Sequence, residues 1–141
     1  MIFLDTNILL AACIEGRNKS TACRNLLEQG LTGERSLFTN GQVIREFLVV
    51  ATRPVEVNGL GLTPKSALAN VAEFKRCVRV LDETGDTSIQ LEGLIERHRL
   101  KGKRIHDANL VATMQTHGLN QLATLNTADF RIFKTVEHVK L

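Results

Sequence analysis

The feature that most constrains the fold is the opening run Ile2, Phe3 and Leu4, which breaks off at Asp5, Thr6 and Asn7. Consecutive apolar residues without alternation read as a strand covered on both faces, the pattern of a central parallel strand. A helix follows at once. Ile8, Leu9, Leu10, Ala11 and Ala12 continue in helical fashion, and Asp5, Thr6 and Asn7 are all residue types that cap helix N-termini. In open α/β sheets the carboxyl ends of the strands line the crevice where ligands bind, so an acid at that point is also placed for chemistry. Asp5 is therefore a cap, a reactive carboxylate, or both, since a strand-to-helix turn accommodates the two roles together.

The same alternation continues along the chain. Ser20 to Gly30 reads as a helix capped by Ser20, and Ser36 to Thr39 as a second strand. Asn40 offers a cap for a helix from Gly41 to Thr52, with Gln42, Arg45 and Arg53 toward solvent and Pro54 as its stop. Val55 to Leu62 reads as a surface loop. Thr63 followed by Pro64 starts a helix through Ala67, Leu68, Val71 and Phe74 toward Cys77. A third strand covers Val78 to Leu81, a helix Thr87 to Leu100, another Ile105 to His117 closed by Gly118, and a fourth strand Gln121 to Leu125. Asn126 to Asp129 turn into a short helical segment, and Val136 to Leu141 form an edge strand. Strands separated by helices imply a parallel sheet with helices on both faces, in one α/β domain spanning residues 1–141.

Composition narrows the class. An apolar fraction of 43% and a charged fraction of 23% exclude disordered and fibrous chains. Asp5 interrupts the first apolar run too early for a signal peptide or membrane span, which predicts a cytoplasmic protein without membrane attachment. Cys13, Cys23 and Cys77 are odd in number and fall inside predicted helices, so they read as reduced thiols, and no Cys/His spacing suggests zinc. The net charge of +3 tolerates a polyanionic partner without requiring one. Its distribution says more: Arg97, His98, Arg99, Lys101, Lys103 and Arg104 crowd just ahead of Asp107. Such a run reads as a solvated loop or as a surface for phosphates.

Two further acids break the amphipathic pattern. Glu46 lies three residues after Val43 and four before Val50, on the apolar face of its helix. Asp107 shares its face with Leu110, Val111 and Met114. Macrodipole compensation explains an acid near the start of a helix but not its position on the buried side. Asp129 fits a turn or cap role equally well. If helices begin near the carboxyl ends of preceding strands, Asp5, Glu46, Asp107 and Asp129 meet at one sheet edge, where their mutual repulsion calls for a cation. Oxygen-only donors favour Mg²⁺ or Mn²⁺, and such ions activate water against phosphodiesters. Hydrolysis of a nucleic-acid backbone is the chemistry this pattern points to.

The segments IFLDTNILL, QVIREFLVVATRP, HDANLVATMQTHG and LATLNTADF, in this order and spacing, resemble those of PIN-domain ribonucleases, and at this size the VapC-type toxins of type II toxin-antitoxin pairs. The resemblance spans nearly the whole chain. It implies a three-layer α/β/α fold with about five parallel strands, an Mg²⁺ or Mn²⁺ cofactor, endonuclease action on RNA, a homodimer, and a small antitoxin whose tail enters the active groove. Carried over by position, Asp5, Glu46, Asp107 and Asp129 are the expected catalytic and metal-binding acids. Thr6, Asn7, Thr124 and Asn126 are expected to hold them by hydrogen bonds, and Arg97, Arg99, Lys101, Lys103 and Arg104 to contact RNA. Other readings are a non-toxin RNA-processing nuclease and a binding module whose acid pocket captures a basic peptide. A haloacid-dehalogenase-like phosphatase fits less well, because Asn7 stands where that pattern needs a second Asp.

Overall fold

The computed structural model describes residues 1–16 and 18–141. Its sheet has five strands, all parallel, in the spatial order β3-β2-β1-β4-β5. These are β1 (Ile2–Leu4), β2 (Leu37–Asn40), β3 (Arg79–Leu81), β4 (Gln121–Ala123) and β5 (Glu137–His138). The opening run is the central strand, as its unbroken apolar pattern requires. Ile2, Phe3 and Leu4 are all buried, with β2 paired on one side and β4 on the other.

The helices are α1 (Thr6–Cys13), α2 (Ser20–Leu31), α3 (Gly41–Thr52), α4 (Pro64–Cys77), α5 (Gly85–His98), α6 (Arg104–Thr116) and the short α7 (Thr127–Phe130). Helices α1 to α4 pack among themselves, while α5, α6 and α7 form a second group, giving the three-layer α/β/α arrangement. One apolar core runs through both layers; at its centre Phe47 of α3 meets Phe74 of α4 edge to face, ring centroids 5.0 Å apart. Among the described residues no helix is long and apolar enough to cross a membrane.

Cap chemistry accounts for several boundaries. Asn40 Oδ1 accepts the Val43 N–H at 3.0 Å, and Thr63 Oγ1 accepts that of Ser66 at 3.1 Å, so both expected caps are present. Ser20 is not one. The cap position is Lys19, in left-handed conformation, and the Ser20 hydroxyl lies buried inside the first turn, accepting a bond from Arg24. Leu68, grouped with the apolar residues of α4, is 57% exposed.

The segment after Pro54 is more than a surface loop. A 3-10 turn at Val55–Val57 folds it back along α3, where Leu60, Leu62 and Gly61 donate their N–H groups to the carbonyls of Val50, Ala51 and Arg53. These donors satisfy carbonyls that the end of a helix otherwise leaves open. Gly59 makes the reversal feasible, because a Cβ there would overlap the Arg53 carbonyl.

Candidate functional site

Asp5 leaves the carboxyl end of β1 and is the N-cap of α1. Its Oδ1 accepts the Thr6 N–H at 2.6 Å. Its Oδ2 accepts the Asn7 amide and the Thr124 hydroxyl, each at 2.7 Å. The Asn7 side chain also accepts the Leu125 N–H at 3.0 Å, which locks the start of α1 to the end of β4. Asp5 therefore caps α1, and these bonds hold its carboxylate at the sheet edge. Strand β4 stops at Ala123, two residues short of the expected end, because Thr124 and Leu125 turn into this bonding pattern.

Glu46 reaches the same region from the second turn of α3. Thr6 Oγ1 donates to its Oε2 at 2.9 Å, and Gln42 Nε2 donates to its Oε1 at 2.7 Å. Gln42, expected toward solvent, is buried. It also donates to the His106 carbonyl at 3.1 Å, accepts from Asn109 Nδ2 at 2.7 Å, and its backbone N–H points to Glu83. Asn109 bonds Glu83 as well, at 2.9 Å. Gln42, Asn109 and Glu83 are thus the polar residues at this edge that sequence reasoning missed. A signal existed for Gln42: it precedes Glu46 by one helical turn and so shares the face that singled Glu46 out.

Asp107 lies in the first turn of α6. That helix follows α5 rather than a strand, so the strand-to-helix rule does not explain its position; the Gln42 bonds to His106 and Asn109 attach its start to α3. Arg104 lies between Asp107 and Asp129, at 3.9 Å and 3.4 Å. Arg104 is therefore the member of the basic run that enters the acid cluster. Arg97, Arg99, Lys101 and Lys103 stay exposed, with Leu100 buried beneath them and the His98 ring set edge-on against Phe133. Asn126 joins the edge through its backbone, its N–H donating to Thr124 Oγ1 and its carbonyl accepting from Asp129.

Electrostatics follow from this placement. Burial pushes Asp5 up from 3.8 to about 6, against the lowering bonds from Thr124 and the Thr6 backbone and with further upward pressure from Glu46 and Asp107. Asp107 is also raised, first by burial, with Arg104 opposing and Asp129 and Glu46 adding to the shift. The acids thus sense one another, and Arg104 is the cation paired with the group among the described residues. The donors are all oxygen, a set suited to a hard divalent ion. Among the described residues no three His, Cys, Asp or Glu side chains gather closely enough to hold an ion by themselves. The arrangement suits a hard divalent ion that retains several waters, and does not fit a closed protein cage.

A parallel α/β fold with carboxylates converging at the carboxyl edge of its central strands defines the class. The PIN domain family model matches residues 2–137, and the chain belongs to the PIN-domain family. No curated protein matches the sequence. Solved structures with the same fold include a toxin-antitoxin complex from Klebsiella pneumoniae, 23% identical with a TM-score of 0.60 over 97% of this chain and 96% of that one. VapBC2 from Rickettsia felis, bound to a promoter DNA fragment, is 15% identical with a TM-score of 0.70, covering 99% and 98%. VapC20 of Mycobacterium tuberculosis, described as a sarcin-ricin loop cleaving toxin, is 21% identical with a TM-score of 0.62, covering 86% and 87%.

Proposed function

We propose that this PIN domain is a divalent-metal-dependent endoribonuclease acting at the acid cluster, with Asp5, Glu46, Asp107 and Asp129 as its catalytic and metal-holding residues. The observation that carries the reading is Asp5 itself: a half-buried carboxylate close to other acids, fixed by neutral donors and pushed up to about 6. A fold retains such a group at a cost in stability, and a bound cation is what returns it. Asp5 and Asp107 are the primary candidates to hold Mg²⁺ or Mn²⁺, with Glu46 completing the set and Asp129 contributing from the Arg104 side. The chemistry the ion supplies when bound is charge neutralisation at a phosphoryl oxygen and acidification of water.

The chain's own residues provide orientation. Thr6, Asn7 and Thr124 hold the carboxylates of Glu46 and Asp5 through side-chain bonds of 2.7–2.9 Å, which fixes the orientation of these two acids. Glu46 is suited to accept a proton from water attacking in line. Arg104 is suited to meet a non-bridging phosphate oxygen once its acids bind metal. Arg97, Arg99, Lys101 and Lys103 surround the entrance to α6 and suit the flanking phosphates of RNA.

The solved neighbours that are toxin-antitoxin complexes support placing this nuclease in such a pair, as a toxin inhibited by a small cognate antitoxin; a homodimer and a cytoplasmic location belong to the same reading. The test is RNA cleavage by protein freed of any partner. Cleavage that requires Mg²⁺ or Mn²⁺ and disappears in Asp5→Ala and Asp107→Ala is the expected result; activity surviving both substitutions overturns the assignment. The absence of a ready three-acid cage among the described residues favours one rival, an acid pocket that captures a basic peptide. Intact RNA together with tight binding of such a peptide would establish that rival.

A further inference from the structure

A second cavity adjoins the acid cluster at the same sheet edge. It has a volume of about 590 Å³, within the roughly 300–1,000 Å³ of small-ligand sites, and opens between the ends of β4 and β5, the start of α7 and the Asn18–Lys19 turn. Its walls are the half-buried side chains of Leu125, Val139 and Leu141, and its cations are Lys19 and Lys140. No Asp or Glu side chain is among its lining residues. Thr124 belongs to both sites: it lines this cavity and donates its hydroxyl to Asp5 at 2.7 Å. Thr124 thus joins the wall of the cavity to the carboxylate of Asp5.

We propose that this cavity binds the RNA nucleotide next to the scissile phosphodiester and sets the base preference of cleavage. The proposal rests on the nuclease reading above and adds to it the recognition of one neighbouring nucleotide. Charge and shape favour that occupant. A nucleotide combines a flat apolar base with an anionic phosphate, and the cavity pairs an apolar wall with lysines. Lys140 is exposed and makes no ion pair among the described residues, whereas Lys19 is already engaged by the Leu141 oxygen at 2.6 Å. His138 supplies the aromatic ring of the wall, in a chain without Trp or Tyr.

The test maps cleavage of an RNA library randomised on both sides of the cut, for the wild-type protein, Lys140→Glu and Val139→Trp. Lys140→Glu changes an exposed residue and so keeps the fold; circular dichroism and melting establish the folding of Val139→Trp, which fills the cavity. The expected result is an about tenfold higher KM with little change in kcat for Lys140→Glu, and a redistributed base preference for Val139→Trp. A cleaving wild type whose folded variants share its KM and site preference overturns the proposal and leaves the nuclease reading intact. Photo-cross-linking of 4-thiouridine RNA to Asp5→Asn protein gives a readout independent of turnover, expected in the peptide around residues 138–141. If the wild type fails to cleave, that cross-link decides the cavity's role by itself, and its absence from this peptide counts against the proposal. RNA parameters unchanged while the variants release a copurifying protein assign the cavity to that partner instead and overturn the nucleotide assignment.

Discussion

Replacing Asp5 by Asn separates the stability of this fold from its function. The displacement of Asp5 from 3.8 to about 6 corresponds to about 3 kcal/mol, at about 1.36 kcal/mol for each tenfold change in proton affinity. The sign follows from proton binding. Between pH 3.8 and about 6 the folded protein holds the Asp5 proton more tightly than the unfolded chain, so this group's contribution to stability falls as pH rises through that window, then stays constant. Asn keeps the shape and removes the charge, but its amide NH₂ replaces Oδ2, which accepts from Asn7 and Thr124. Losing these bonds costs about 1–2 kcal/mol. The net expectation at pH 7, in chelator, is that Asp5→Asn is more stable than the wild type by about 1–2 kcal/mol. With a urea dependence of about 2 kcal/mol/M, its unfolding midpoint rises by on the order of 0.5–1 M. At pH 3.5, where the wild-type carboxyl is already neutral, the advantage disappears or reverses. A variant no more stable than the wild type at pH 7, or a difference that ignores pH, refutes the account of Asp5 as a strained acid.

Other substitutions probe the support around it. Thr124→Val removes the hydroxyl bonded to Asp5 at 2.7 Å and should lower the RNA cleavage rate by about 10–100-fold while the protein stays folded, as loss of a supporting hydrogen bond does at metal sites. Gln42→Ala leaves Glu46, the His106 carbonyl and Asn109 short of partners and should destabilise by about 1–3 kcal/mol in chemical denaturation. Gly59→Ala brings a Cβ onto the Arg53 carbonyl, and a loss of about 1–3 kcal/mol in the same measurement is expected, with hydrogen exchange rising first in residues 55–62.

The parts of the fold legible in the sequence were those governed by local rules. An apolar triplet bounded by an acid specifies a covered strand, and Asn40 and Thr63 sit where side-chain oxygens find backbone donors one turn ahead. Where a competing local interaction exists, the local rule misleads. Ser20 has cap chemistry, but the turn reaches the helix through a left-handed Lys19, and the hydroxyl is taken up by Arg24. The site was legible through contradiction, because Glu46 and Asp107 stood on apolar faces. Gln42 escaped for the opposite reason: it looked like an ordinary polar surface residue, and its burial depends on partners on α6 that are distant in sequence. Glu83, in the turn between β3 and α5, is tied in by Asn109 in the same way.

The central claim is that the converging carboxylates form a divalent-metal centre, and direct titration with Mn²⁺ followed by electron paramagnetic resonance tests it without reference to any substrate. The wild-type protein should take up Mn²⁺ saturably, in competition with Mg²⁺, and Asp5→Asn and Asp107→Asn should each weaken that uptake strongly while remaining folded. Wild-type protein that leaves Mn²⁺ free in solution, or folded variants that bind it as tightly as the wild type, would contradict the claim.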